Sequence, residues 1–186
     1  MSRFQKTTIG VAIAVIVISL AGIMTVMWRS TGDNDHQVAA EDTLDPVAED
    51  AEMTAKQAMV NVFSFTPAED ESPESGLAAI RDSLTGDLLT LADNPPEGEV
   101  AEQVRPRQWD AWAESGDSVK AFAEKSTLSP AIPADSDHAR IKLEVTQKVL
   151  HSDGDITPFR YMTVTVDVEH SDGRWKASDY RIDDIN

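Results

Sequence analysis

Residues 139–182, ARIKLEVTQKVLHSDGDITPFRYMTVTVDVEHSDGRWKASDYRI, decide the fold because apolar and polar side chains alternate along them in three runs. In the first, Ile141, Leu143, Val145 and Val149 share one face, while Arg140, Lys142, Glu144, Thr146 and Lys148 share the other. A period of two with one apolar face is the pattern of a half-buried strand. The second run, Phe159 to His170, puts Met162, Val164, Val166 and Val168 inward and Thr163, Thr165, Asp167 and Glu169 outward; the third runs from Arg174 to Ile182. Register follows from the turns. With Ser152-Asp153-Gly154-Asp155 as the first turn and His151 opposite Ile156, Ile141 meets Val166, Leu143 meets Val164, Val145 meets Met162 and Arg140 meets Asp167. A slip of one residue would set apolar against polar throughout. Asp172-Gly173 is a two-residue hairpin turn of the primed type, placing His170 opposite Trp175, Glu169 opposite Lys176 and Val168 opposite Ala177. That register carries Asp179 and His170 to the inner face and Tyr161 and Tyr180 to the outer one.

Upstream the period is helical. Asp45 is a good N-cap, Pro46 suits the first helical position, and Glu49 and Asp50 favour the positive end of the helix dipole. Ala51, Ala55, Ala58, Met59, Val62 and Phe63 then mark one buried face out to about Phe65, and Thr66-Pro67 stops the helix. After the acidic loop Glu69-Asp70-Glu71, Ser72-Pro73-Glu74 starts a second helix with Leu77, Ile80 and Leu84 on one side. Thr85-Gly86 ends it, and Asp87 opens a short third helix bearing Leu88, Leu89 and Leu91. Asn94 to Gly98 reads as a loop, Pro106 to Ser115 as a fourth helix stopped by Gly116, and Val119 to about Leu128 as a first, less regular strand. Helices followed by an antiparallel meander predict an α+β fold, with about four strands packed on three to four preceding helices.

Far from this, Ile9 to Val26 reads IGVAIAVIVISLAGIMTV, part of an uncharged run from Thr8 to Trp28 in which ten residues are Ile, Val or Leu. That is about the length a helix needs to cross a hydrocarbon core of roughly 30 Å. Arg3 and Lys6 precede it and an acidic stretch follows, so the positive flank stays inside and the remainder faces out. Small-x-small sites at Ser19-Leu20-Ala21 and Val38-Ala39-Ala40 lie inside the run or far beyond it, so an anchor is expected rather than a cleaved signal. The domain boundaries that follow are 1–7 cytoplasmic, 8–28 transmembrane helix, 29–44 acidic tether and 45–186 extracytoplasmic domain. After Trp28 the chain holds all 33 acidic residues and 14 basic ones, a formal −19. Such a field repels nucleic acid and anionic lipid headgroups and leaves calcium, magnesium and basic protein surfaces as the natural company. With no cysteine, disulfides, thiolate metal sites and thiol nucleophiles are excluded.

The chain resembles the actinobacterial single-pass membrane proteins with a nuclear-transport-factor-2-like domain outside the membrane, including the Mce-associated (mammalian cell entry) ones. The likeness rests on Ala58-Met59-Val60 with Phe63-Ser64-Phe65, on Leu84-Thr85-Gly86-Asp87, on the strand around Ala139 to Val145, and on Asp172-Gly173-Arg174-Trp175. It implies a cone-like half-barrel packed on its first helices, a place in an envelope transport or secretion assembly, and no catalytic residue. Ala177 is smaller than the family's usual aliphatic residue at that position, and the acidic loop at 69–74 is longer.

No nucleophile elbow, phosphate loop, dinucleotide glycine pattern or zinc-protease motif is present. His151-Ser152-Asp153-Gly154 and His170-Ser171-Asp172-Gly173 lie at opposite ends of one strand, about 40 Å apart at 3.3 Å per residue, and cannot share an ion. His138, beside Asp137, faces Glu169 but lacks a full ligand set, so no metal or cofactor is expected. Trp109 and Trp112 share one side of a helix, as core, as a lid over the cone, or as an aromatic patch for a partner. Together with Phe122, Trp175 and Asp179 they are the candidate lining of a pocket or partner surface. The expectation is a non-enzymatic, membrane-anchored module that binds other envelope proteins. The alternative is a binder of an apolar ligand such as a lipid or sterol, isomerase-like at its extreme, with Asp179 as the base.

Overall fold

The structure, a computed structural model, describes residues 46–133 and 135–185; the anchor, the tether and the Asp45 cap lie outside them. Among the described residues four α-helices and one 3₁₀ segment precede four strands. The helices are α1 (Pro46–Phe63), α2 (Gly86–Asp93), α3 (Gly98–Val104) and α4 (Trp109–Ser115), with the 3₁₀ segment Pro73–Ser83 between α1 and α2. The strands β1 (Ser118–Lys125), β2 (His138–Leu150), β3 (Ile156–Ser171) and β4 (Arg174–Ile185) form one antiparallel sheet in sequence order.

Helix α1 buries the face that its sequence marked, from Ala51 through Ala55, Ala58, Met59 and Val62 to Phe63. It touches all four strands. Opposite it, Ile141, Leu143, Val145, Met162, Val164, Val166 and Val168 are buried, with Leu77, Leu84 and Leu88 joining from the following elements. Burying a Leu, Ile, Val or Met side chain contributes about 1.5–3 kcal/mol, so this interface dominates the stability of the domain. The helix ends two residues before Phe65, which instead pairs with Val119 through reciprocal backbone hydrogen bonds of 3.0 and 2.9 Å. Gln147, at an inner-face position of β2, donates from Nε2 to the Phe63 carbonyl at 2.8 Å. A strand side chain thus satisfies a carbonyl that the end of α1 leaves open.

The first hairpin has the register read from the sequence from His138 to Gln147, and the second has it from the turn out to Val168 and Ala177. Ile141 faces Val166, Leu143 faces Val164, Val145 faces Met162 and Arg140 faces Asp167. Asp172 and Gly173 have φ of 54° and 75°, the left-handed pair that a primed turn requires. Three extra residues alter the rest. Phe159 is unpaired between Pro158 and Arg160, so Leu150, not His151, faces Ile156. Ser178 and Asp183 are likewise extra in β4, where Val168 pairs with Ala177 but Asp167 with Asp179, and Val164 with Ile182 but Thr163 with Asp184. A bulge reverses the facing of whatever follows it. Asp179 is therefore exposed, and Tyr180 turns inward onto Phe63, ring centroids 5.6 Å apart at 85°. This corrects the inner-face placement of Asp179 and the outward one of Tyr180; His170 is also exposed.

Other boundaries shift too. The 94–98 loop is shorter than read, because Gly98–Val104 is helical with Ala101 buried, and the fourth helix starts at Trp109 rather than Pro106. Strand β1 stops at Lys125, leaving Leu128 exposed. The second helix is 3₁₀ with a kink at Ile80. Where it hands over to α2, Thr85 N–H donates to the Ala177 carbonyl at 2.9 Å, and Leu84 bridges Ala177 in parallel. The outer edge of β4 is covered there, which keeps that part of it from pairing with another strand.

Candidate functional site

The residues singled out in the sequence fall in three separate places. Trp109 and Trp112 are buried with Phe65, Val119 and Val149 in a small second core. Phe65 stacks on Trp109 at 5.1 Å and 20°, and Trp112 meets Phe159 edge-on at 5.0 Å. Arg105 closes this corner, its guanidinium 5.2 Å from the Trp109 ring and hydrogen-bonded twice to the Glu71 carbonyl, at 2.8 and 2.6 Å. The acidic loop is thereby pinned to the end of α3, beside the Trp109 ring that opens α4. Both tryptophans act as core, with no open aromatic patch at their indoles. Trp175 belongs to the main core, with His170 beside it at 5.3 Å.

Phe122 is elsewhere: it lies on the outer face of β1, 54% exposed, with Lys148 Nζ 5.3 Å above its ring. The pattern of β1 carried this signal, since Val119, Ala121 and Ala123 are buried and Lys120, Phe122 and Glu124 are not. Asp179, also exposed, joins neither group. The structure therefore does not bring Trp109, Trp112, Phe122, Trp175 and Asp179 into one pocket.

Charge on the outer face is arranged around a second hub. Asp183, the second extra residue of β4, accepts from the Thr165 hydroxyl at 2.6 Å and lies 3.0 Å from Arg181 and 3.6 Å from Lys142. The hydrogen bond from Thr165, followed by Arg181 and Lys142, holds its carboxyl below the usual range. Farther along, Tyr161 donates to Glu144, which raises its phenol. On the inner side, burial raises Tyr180, with Glu74 and Asp179 adding to the shift. His138 does face Glu169, in an open concavity of about 370 Å³ that Arg140, Asp167 and Ser178 also line. Among the described residues no three His, Asp or Glu side chains are grouped to hold a metal.

One constellation was not legible beforehand. His151 Nδ1 lies 2.9 Å from Asp117 Oδ2, and its Nε2 lies 2.9 Å from Thr157 Oγ1. A carboxylate only accepts, so Nδ1–H donates to Asp117, and Nε2 shares a second hydrogen bond with the threonine hydroxyl, which can donate or accept. Asp117 Oδ1 also accepts from Ser152 N–H at 3.1 Å. The order carboxylate, imidazole, hydroxyl is that of a nucleophile relay, but Thr157 is a secondary alcohol on an exposed hairpin. Its evident effect is to brace the β2–β3 turn against the start of β1. Only the chain folding back brings Asp117 to His151; no spacing in the sequence announces the contact.

The hydrogen bond from His151, with those from Ser115 and Ser152, holds the Asp117 carboxyl below its ordinary value. A depressed folded-state value adds stability that is complete above the ordinary aspartate range, about pH 3.9, and is lost as pH falls through the lower folded value. Asp117→Asn should lower the thermal midpoint at neutral pH by a few degrees. The deficit should shrink at an acid pH well below the ordinary aspartate range, where the parent's own Asp117 protonates. Melting curves at both pH values test this, and an equal deficit at each would show that Asp117 ionisation does not matter.

What the geometry defines is an α+β domain with a four-stranded antiparallel meander, a core closed by α1, and charged or apolar features on its outer surface. No protein-family model matches the chain, and no curated protein matches it. Solved structures similar to it include CagV, a VirB8 homolog of the T4SS of Helicobacter pylori strain 26695, at 12% identity over 73% of this chain and 97% of that one, with a TM-score of 0.45. Another is the intermembrane space region of the chloroplast protein ARC6, at 16% identity over 77% of this chain and 98% of that one, with a TM-score of 0.40. At these identities and scores neither lends this chain a residue role.

Proposed function

We propose that the chain is a membrane-anchored, non-enzymatic interaction module, an accessory or scaffold subunit of a cell-envelope transport or secretion assembly of the Mce-associated kind. In this reading residues 8–28 cross the cell membrane with the N-terminus in the cytoplasm, residues 29–44 are the tether, and the domain from residue 45 onward binds envelope proteins outside. The observation that carries it is the uncharged run from Thr8 to Trp28 joined through an acidic stretch to a separate folded domain. The filled inner face adds support. Met59, Leu77, Ile141, Leu143, Met162, Val164 and Val166 occupy the space between α1 and the sheet, so the domain offers partners its outside.

The alternative, an apolar ligand held in a cone, needs room where those side chains already touch, and its proposed base, Asp179, faces out. The test compares partners retained by the full chain with those retained by residues 1–44 alone, both purified from membranes of the native cell. Deletion of the domain is expected to remove co-purifying membrane proteins. An unchanged set of partners would overturn the proposal.

A further inference from the structure

Among the described residues there are six lysines, and four of them sit on carboxylates: Lys56 on Glu52 and Glu124, Lys125 on Glu52, Lys142 on Asp183, and Lys176 on Asp172. The other two, Lys120 and Lys148, are directly opposite each other across β1 and β2. Like charges facing across strands destabilise a sheet. Both lysines are exposed on the outer face.

The immediate neighbours of this pair are largely apolar, and an opposed pair of acids, Glu124 and Glu144, stands one same-face position beyond Phe122 and Thr146. On one side of it along the sheet stand Leu150 and Ile156, facing each other, the latter 61% exposed. On the other stand Phe122, Thr146 and Tyr161, successive partners across three strands. Pro158 pairs with Lys148 and is exposed too. The large exposed hydrophobic side chains Phe122, Leu150, Ile156 and Tyr161 thus surround two cations without counter-ions. Scattered apolar side chains on a surface are ordinary, whereas a contiguous set marks a contact site.

We infer that this end of the outer sheet face, Phe122, Leu150, Ile156 and Tyr161 around Lys120 and Lys148, docks a partner-protein segment that presents apolar side chains flanked by carboxylates. The inference rests on the interaction-module reading and names the surface and the chemistry it takes. Charge selects this occupant over two others. Salt screens the domain's remote carboxylates beyond about 8 Å at physiological ionic strength, so a short segment whose carboxylates sit at the lysine pair, on the side away from Glu124 and Glu144, meets chiefly the two lysines. A second copy would bring its own −19 to the contact, and an anionic bilayer would bring an extended charged plane; both oppose the domain's field.

The experiment uses the full chain in nanodiscs of zwitterionic lipid and a dye-labelled peptide alternating Glu with Leu and Phe, with anisotropy read at physiological salt. K120E/K148E is expected to weaken peptide binding at least tenfold, and Phe122→Ser at least fivefold. R107E/R174E, which changes net charge equally at two exposed arginines elsewhere, should leave binding within twofold. Equal weakening by both double variants would assign the effect to overall charge and overturn the inference, as would no weakening by K120E/K148E. Thermal midpoints verify that each variant folds, and Phe122→Ser alone decides the matter if K120E/K148E does not. The same variants in the native cell separate the two claims. Partners lost on domain deletion but kept by K120E/K148E would refute this surface and leave the module intact; partners kept on domain deletion would refute the module.

Discussion

Leu143→Ala is expected to cost about 3–4 kcal/mol of unfolding free energy, a large share of the 5–15 kcal/mol typical of a domain. The side chain has no exposed surface; it stands at the centre of β2, between Lys125 on β1 and Val164 on β3, on the face that α1 covers. Truncation loses the transfer free energy of the removed atoms and leaves a cavity that rigid neighbours cannot close. Urea titration should show a lower midpoint with an unchanged slope, since the surface exposed on unfolding hardly changes. Ile182→Ala, at a 37% exposed position on β4, should cost less than about 1 kcal/mol. Similar losses at the two sites would show that the space beneath α1 is not packed as described.

The second large effect is expected at Gly86. Its φ is +54°, and a Cβ there would lie 2.9 Å from the Ser178 carbonyl oxygen. Two penalties therefore add in Gly86→Ala. The left-handed backbone costs about 1–2 kcal/mol for a residue with a Cβ, and the clash is with the backbone of β4, which cannot swing aside as a flexible side chain would; overpacking adds about 1–3 kcal/mol. Gly98 is the matched control, having the same φ of +54° and no neighbouring atom within 4 Å of where a Cβ would stand. Gly98→Ala should lose only the backbone part. The difference between the two variants isolates how closely the start of α2 approaches the edge of β4, and equal losses would contradict that approach.

These expectations depend on features that differ in how far they can be read from sequence. The buried face of α1, the cross-strand partners in the middle of the first hairpin and those nearest the turn of the second were legible, because burial imposes a strict period on each and a slip would expose every apolar side chain. The bulges were not. Phe159, Ser178 and Asp183 are ordinary strand residues flanked by further alternation, and only the paired strands show which of them has no partner. Their consequences fell on the candidate site. The extra Ser178 turned Asp179 outward and brought Tyr180 in, which removes the acid from the inner face where a base would have to stand. Phe122 shows the opposite case: its place outside was implied by its polar-side neighbours Lys120 and Glu124. The Asp117–His151 contact, like the bulges, was not legible, since each residue stands beside an ordinary turn and only the folded chain brings them together. The resemblance to anchored envelope proteins rests on short motifs that serve the fold, so it speaks to architecture more than to partners.

The central claim is that the acidic domain stands outside the membrane on an N-terminal anchor, and the absence of cysteine from the chain makes it directly measurable. A single Leu128→Cys, at a position 77% exposed, gives the full chain one thiol, to be probed in intact cells with a membrane-impermeant maleimide. Labelling before lysis, on protein that stays with the membrane through an alkaline carbonate wash, is the predicted result. Labelling only after lysis, or a labelled chain found free of the membrane, would contradict the account.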